Sequence, residues 1–364
     1  MISIKKILIV SWKGISQSVI EKNFINSLTK NYKIYFLDAS KILNSNTSSQ
    51  NIENFKKIKN LKEIKIKKFS NLKDRILKIK PDIIVPYFIE NNSYKTEKVF
   101  SYLKSLNIPL LKILDIGFTN NFTYYSVLLK HFFYKKINYD YLIHIGLRNS
   151  QNFYRSKNNI FIHHYDYEKF LSKEKKSRKY KKDYAVFLDE NFVFHPDLIK
   201  NKNKNWIDPN LYFPKIINFF NFFEKNFHMK IIIASHPTLK KNFFKNFKSY
   251  HNNTCDLVRN AKFVFLHQST SLNYPILFKK KILFLTSDEI NKLSLGKQIR
   301  YRANYFNKNP INLDRNLNKK AIRECIISKS NKYYEYINLF LKHPKSLKNN
   351  FINIFNEYFN EKKM

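Results

Sequence analysis

The chain has 364 residues, 43% hydrophobic and 16% aromatic, with 67 Lys and Arg against 27 Asp and Glu, a formal net charge of +40. That apolar content can build sizeable cores over a length that accommodates two domains, which excludes a disordered chain. The basic surplus would ordinarily suit nucleic acid, but Lys greatly outnumbers Arg, only four Gly occur, and Asn, Ile, Phe and Tyr are abundant, as AT-rich codons would produce. Arg is the residue that phosphate and base-edge readers use for bidentate contacts, so the charge reads first as a solvated surface and no nucleic-acid partner is expected.

The N-terminus, MISIKKILIVSWKG, has too short an apolar run for a signal-peptide core. No later segment approaches the roughly 18 apolar residues of a membrane span. The expectation is a cytoplasmic protein, with peripheral contact at the inner face of an anionic membrane, where each Lys near the surface contributes about 1 kcal/mol. In the first half, residues 5–12, 32–40, 61–69, 82–88, 109–117 and 140–146 are short apolar runs separated by stretches that could hold helices. This alternation predicts a parallel α/β sheet buried on both faces.

EKFLSKEKKSRKYKKD, between Tyr167 and Asp183, is strongly basic and has no hydrophobic period, so it reads as an exposed linker with a boundary near 172–182. The second half restarts with a strand at 184–191, a helix over 211–227, a strand ending IIIAS, a helix around 239–249, a strand FVFLHQ, a helix around 271–279 and a strand at 281–287. Helices follow over 321–343 and 346–363. The predicted fold class is α/β with two Rossmann-like domains and C-terminal helices, divided at 1–172, 183–315 and 316–364.

Polar residues cluster where the second domain's strands end, the place where open parallel sheets bind ligands. His236-Pro237 ends one strand and is expected to open a helix, so that imidazole and free N–H groups could meet an anion. His267, Gln268, Ser269, Thr270 and Ser271 end the next, a strand expected beside that of His236. Its hydroxyls suit a phosphate, or cap a helix. Asp189 and Glu190, followed by His195 and Asp197, end the domain's first strand and could supply a general base. Ser287-Asp288-Glu289 could bind a ribose or cap a helix, the cap being slightly favoured. In the first domain Lys13 and Gly14, Glu90 and Asp115 lie near strand ends facing a presumed cleft, the two acids with structural roles. GxGxxG and GxxxxGK[ST] are absent, Cys255 and Cys325 have no ligand spacing, and no cofactor or metal site is expected.

Two such domains, a nucleotide-like site in the second and helices returning at the end resemble the GT-B fold of glycosyltransferases. ASHPT followed some thirty residues later by HQSTS resembles the HP and Ser/Thr motifs of bacterial sialyltransferases and polysialyltransferases, and of a broader group of surface-carbohydrate biosynthesis proteins. The resemblance implies that His236 and Pro237 bind the donor's cytidine monophosphate and that Ser269 with Thr270 or Ser271 forms the hydroxyl pair, with His267 beside them. Asp189-Glu190-Asn191 matches the family's acidic base motif in part, because Asn191 stands where glycine is expected and the pair lies unusually close to HP. Asp197 or Glu90 are alternative bases. The implied activity is inverting, metal-independent transfer from a nucleotide-sugar donor, such as a CMP-linked nonulosonic acid, to a glycan or lipid-linked acceptor in surface polysaccharide biosynthesis. A CDP-polyol phosphotransferase and a non-catalytic basic protein binding acidic glycan or nucleic acid remain as alternatives.

Overall fold

The structure, a computed structural model, describes residues 4–43, 58–88, 93–115, 137–150, 154–174, 183–194, 207–237, 239, 243–244, 246–327, 332–347 and 350–360. The chain forms two compact units, Met1–Glu168 with Asn338–Met364, and Lys169–Ile337. In the first, strands β1 (Lys6–Ser11), β2 (Lys33–Asp38), β3 (Leu61–Lys65) and β4 (Ile83–Tyr87) lie in the order β3-β2-β1-β4. Strands β5 (Leu111–Leu114), β6 (Ile137–Asn138), β7 (Tyr141–Ile145), β8 (Tyr154–Arg155) and β9 (Asn158–Ile162) follow, as a β5-β7-β9 sheet and a short β6-β8 pair. Every pairing is parallel, and a bridge between Ile84 and Leu110 links the two larger sheets.

Strand β1 shows why both faces are covered. Ile7 and Ile9 enter one apolar cluster and Leu8 and Val10 the other, as the two-residue period of a strand dictates. The helix Phe351–Asn360 belongs to the first of these clusters, where Phe351 stacks on Phe24 with ring centroids 4.0 Å apart.

The second unit has β10 (Tyr184–Leu188), β11 (Lys230–Ser235), β12 (Lys248–His251), β13 (Phe263–Leu266), β14 (Lys281–Thr286) and β15 (Ile311–Asn312), ordered β12-β11-β10-β13-β14-β15 and parallel throughout. All five residues of β10 are buried at the centre. The helix Pro209–Phe227 packs against the strands. Asp208 caps it by accepting the Asn210 N–H at 2.8 Å, Pro209 opens it, and Phe219 and Phe220 meet Phe265 and Phe187 edge-on, each at 5.3 Å.

Several expectations change. The basic run expected as linker is helical through Glu174, the end of the helix Tyr165–Glu174, and its remainder lies outside the described residues, as do Glu90, His195 and Asp197. The helix expected around 239–249 is absent among the described residues. Lys248–His251 instead pairs in parallel with β11 as the sheet's edge strand, and the Ser235 and Ser249 hydroxyls bond across that pair. Strands β9, β12 and β15 escaped the sequence reading because their residues are polar or few. Of the long helix expected over 321–343, the described residues form Lys319–Ile327, Lys332–Tyr336 and a π-helical Ile337–Leu341, and residues 328–331 lie outside them. The C-terminal segment is thus divided, through Ile337 with the second unit and from Asn338 with the first. Among the described residues no helix is long and apolar enough to cross a membrane.

Gly146, after β7, has φ +73°, and a Cβ there would overlap the backbone of Leu339 and Phe340 in the same unit. Gly146→Ala should therefore destabilise the first unit by about 1–3 kcal/mol or more, read as a lower urea midpoint. An unchanged midpoint would mean that the C-terminal segment does not pass this close to β7.

Candidate active site at the strand ends of the second unit

Strand order reverses between β10 and β13, so the loops after β11, β10 and β13 lie side by side at a switch point of the second unit's sheet. The middle loop begins with Asp189 and Glu190, both buried. A buried carboxylate without donors is costly, and each takes its donors from backbone. Asp189 accepts the Asn191 N–H at 2.9 Å with Oδ1 and, at 3.4 Å, the N–H of His236 from the loop after β11 with Oδ2. Glu190 reaches the other way. Its Oε1 accepts the His267 N–H at 2.8 Å and the Gln268 N–H at 2.9 Å, and Oε2 also accepts from Gln268 at 2.9 Å. The acid pair therefore ties both flanking loops to the central strand.

Burial raises the pKa of both acids above the ordinary carboxylate range. For Asp189 the N–H groups of Asn191 and His236 oppose the rise. Glu190 is pushed up to about 8, against the N–H groups of Gln268 and His267 and the charge of Arg302. Asn191 has φ 52°, the left-handed conformation that glycine adopts freely and Asn tolerates.

His267 is fully buried, and its ring turns inward. Nδ1 donates to the Leu285 carbonyl at 2.8 Å, so the neutral ring's Nε2 accepts from the Tyr212 hydroxyl at 3.0 Å. The ring stacks on Phe192 with centroids 4.9 Å apart. Burial holds its pKa down to about 4, against the pull of the Leu285 bond. On the helix Ser294–Tyr305, Arg302 Nη1 donates to the Gln268 carbonyl and, at 3.4 Å, to that of Ser269. Burial lowers its pKa, opposed by Tyr336 and Glu190.

Among the sequence-derived candidates, His236 is half-buried and Pro237 exposed after β11, while Ser269, Thr270 and Ser271 follow the buried His267 and the half-buried Gln268. Ser269 Oγ accepts the Ser271 N–H at 3.1 Å, Thr270 is exposed and Ser271 half-buried. The strand of HQSTS is not beside that of His236. Strand β10 intervenes, because the unit's first strand takes the middle of the sheet and later strands add on either side. No helix begins after Pro237 among the described residues, so helix-end amides do not contribute there. Ser287 caps the helix Asp288–Lys292 by accepting the Ile290 N–H at 3.1 Å. Tyr212 and Arg302 were missed. Nothing local marks Tyr212, but an Arg in so Lys-rich a chain is a usable signal.

The carboxyl edge of the first unit's sheet carries its own titratable cluster. Burial, then Lys22, lowers the pKa of Lys13, whose Nζ lies over Trp12 and Tyr87 at 5.5 and 5.7 Å from the ring centroids. His164 Nδ1 accepts the Asp166 N–H at 3.1 Å, and Nε2 lies 3.7 Å from Asp115 Oδ1. Burial, then Asp115, raises Tyr87 to about 12. Among the described residues no group of three or more His, Cys, Asp or Glu is placed to hold a metal ion.

No protein-family profile matches the chain, and no curated protein matches it in sequence. Solved structures do match in fold. The UDP-GlcNAc 2-epimerase from Methanocaldococcus jannaschii has a TM-score of 0.50 and 14% identity over 96% of this chain and 98% of that one. A second structure of that enzyme, in complex with UDP-GlcNAc and UDP, has a TM-score of 0.45 and 16% identity over 84% and 93% of the two chains. For the wall teichoic acid polymerase TagF the TM-score is 0.48 and the identity 12%, over 92% and 84%. At these identities the likeness concerns fold alone: the chain has an α/β fold of GT-B type, with two Rossmann-like domains.

The buried His267 makes stability acid-sensitive. Its ordinary pKa of 6.5 falls to about 4 on folding, so between these values the unfolded chain binds a proton that the folded one does not. His267 leaves stability level above pH 6.5 and subtracts about 3 kcal/mol in total as pH falls to about 4. His267→Asn, though less stable at neutral pH, should lack this slope in urea unfolding measured across pH. Identical slopes would assign the sensitivity to another group.

Proposed function

We propose that the chain is a glycosyltransferase of cell-surface glycan biosynthesis that binds the phosphate of a nucleotide-sugar donor at the carboxyl edge of the second unit's sheet. The observation that carries this reading is the set of three neighbouring strand ends, where two buried carboxylates fix the loops bearing His236 and the hydroxyls of Ser269, Thr270 and Ser271. Fixed donors beside a departing phosphate stabilise the charge that develops there without reorganising, which is a large part of what an enzyme supplies in group transfer. His236, protonated or donating as a neutral ring, and the exposed Thr270 are the groups assigned to the phosphate.

Asp189 and Glu190 have positioning roles in this reading, because their oxygens already accept backbone N–H groups. His267 acts from behind, as the buried anchor of the hydroxyl-bearing turn. The left-handed Asn191 supports the likeness of this segment to an acidic pair followed by glycine, and with it a CMP-linked donor such as a nonulosonic acid and an inverting displacement. The fold shared with a UDP-GlcNAc 2-epimerase is compatible with a sugar-nucleotide ligand. Peripheral contact with an anionic membrane belongs to the same reading, through surfaces such as the helix Phe69–Ile79, where Lys73, Arg75 and Lys78 surround an exposed Leu77.

Thermal unfolding with CMP, CDP, UDP, GDP and dTDP tests the donor site without knowledge of the acceptor. A nucleotide at 100 times its dissociation constant adds about 2.7 kcal/mol, a rise of a few degrees in Tm. Selective stabilisation by CMP is the expected result; selective stabilisation by CDP would favour a polyol-phosphate donor. His236→Ala should weaken the response about tenfold in affinity and leave the nucleotide-free Tm nearly unchanged. Equal response to all five would reduce the site to a polyanion binder, and no response would remove the reading.

A further inference from the structure

The turn that carries the hydroxyls is gripped from two sides by a carboxyl and a guanidinium. Glu190, at the end of β10, holds the N–H groups of His267 and Gln268, and Arg302, on the helix Ser294–Tyr305, holds the carbonyls of Gln268 and Ser269. The two side chains come from different elements, and both hold the backbone of Gln268. Burial disfavours the charged form of each group, and each favours the ionised form of the other. A lysine would not reproduce Arg302's part, because both bonds leave from Nη1, at the tip of a side chain longer than lysine's.

We propose that Arg302 is a positioning residue of the nucleotide site, and that with Glu190 it forms a hydrogen-bonded clamp that sets the Ser269-Thr270-Ser271 turn for the donor's phosphate. The proposal rests on the donor-site reading given above. Arg302 touches no phosphate in this scheme. It acts through the Gln268 and Ser269 carbonyls, and its effect depends on Glu190 holding the N–H groups of the same turn. Groups facing Glu190 besides Arg302 are Asp189 on its own loop and Tyr212 and His267 from the neighbouring elements.

Two measurements on the full chain test the clamp. The first is amide hydrogen exchange of the peptide covering 266–272 without nucleotide. Arg302→Met should speed its exchange about tenfold while peptides from β10 and β13 stay protected. Unchanged exchange at 266–272 overturns the clamp, whatever the protein binds. The second is a double-mutant cycle on CMP and UDP affinity with Arg302→Met, Glu190→Gln and both together. Arg302→Met alone should weaken binding about tenfold or more, whereas in the Glu190→Gln background the same change should cost about threefold or less. Arg302→Lys, which keeps the charge on a shorter side chain, should recover only part of the loss, and it replaces Arg302→Met throughout if that variant does not fold. Equal losses in both backgrounds would make Arg302 a purely structural residue and overturn the coupling. Failure of wild-type protein to bind either nucleotide would instead sink the donor-site reading and the clamp's assigned purpose with it, leaving the exchange result to decide whether the clamp exists.

Discussion

Two carboxylates buried at the end of the central strand are the constraint on which the second unit's functional edge depends. Side chains of β10 are buried along its whole length, so residues just past its end remain among protein atoms instead of emerging into water. Carboxylates in such a place need donors, and the ones within reach belong to the chain on either side. Asp189 turns toward the loop after β11 and Glu190 toward the loop after β13. Loops that would otherwise move independently are thereby referenced to one rigid strand. Tyr212, His267 and the Leu285 carbonyl extend the same logic downward, since the ring that follows β13 is pinned from the helix Pro209–Phe227 and from β14 together.

The alternation of strands was legible because buried parallel strands are nearly continuous apolar runs, and YAVFL, KIIIAS, FVFL and KILFLT need no tertiary information to be recognised. The polar residues at their ends were legible for the same reason, as the places where those runs stop. Which strand lies beside which was not legible. Sequence order suggested that the strands of His236 and HQSTS were neighbours, but crossover connections put β10 between them, and this insertion is what lets the acid pair hold both loops. Direction within a loop was equally hidden. His267 and Ser269 are two residues apart, yet His267 turns into the core while Ser269 takes part in the turn. The expected helix after Pro237 failed because KSYH has strand partners in β11 that no local propensity announces. Asn191 is a case where the sequence departs from a motif and the backbone does not, for Asn is among the few residues other than glycine that accept φ near +50°.

The large positive charge and the site answer to different physics. Lysines are mostly at the surface, over aromatic rings or opposite single carboxylates, as with Lys230 and Glu224 or Lys332 and Glu335, arrangements that contribute little to stability and are screened by salt. They would draw any polyanion toward the protein at low ionic strength, with no preference for base or sugar. Discrimination has to come from groups whose positions are fixed, and around HQSTS the fixed cation is an arginine. A lysine at position 302 would be compatible with the composition of this chain and would preserve net charge. Its shorter side chain would end before the position from which Nη1 donates to both carbonyls, so the turn would keep a nearby positive charge and lose this hold.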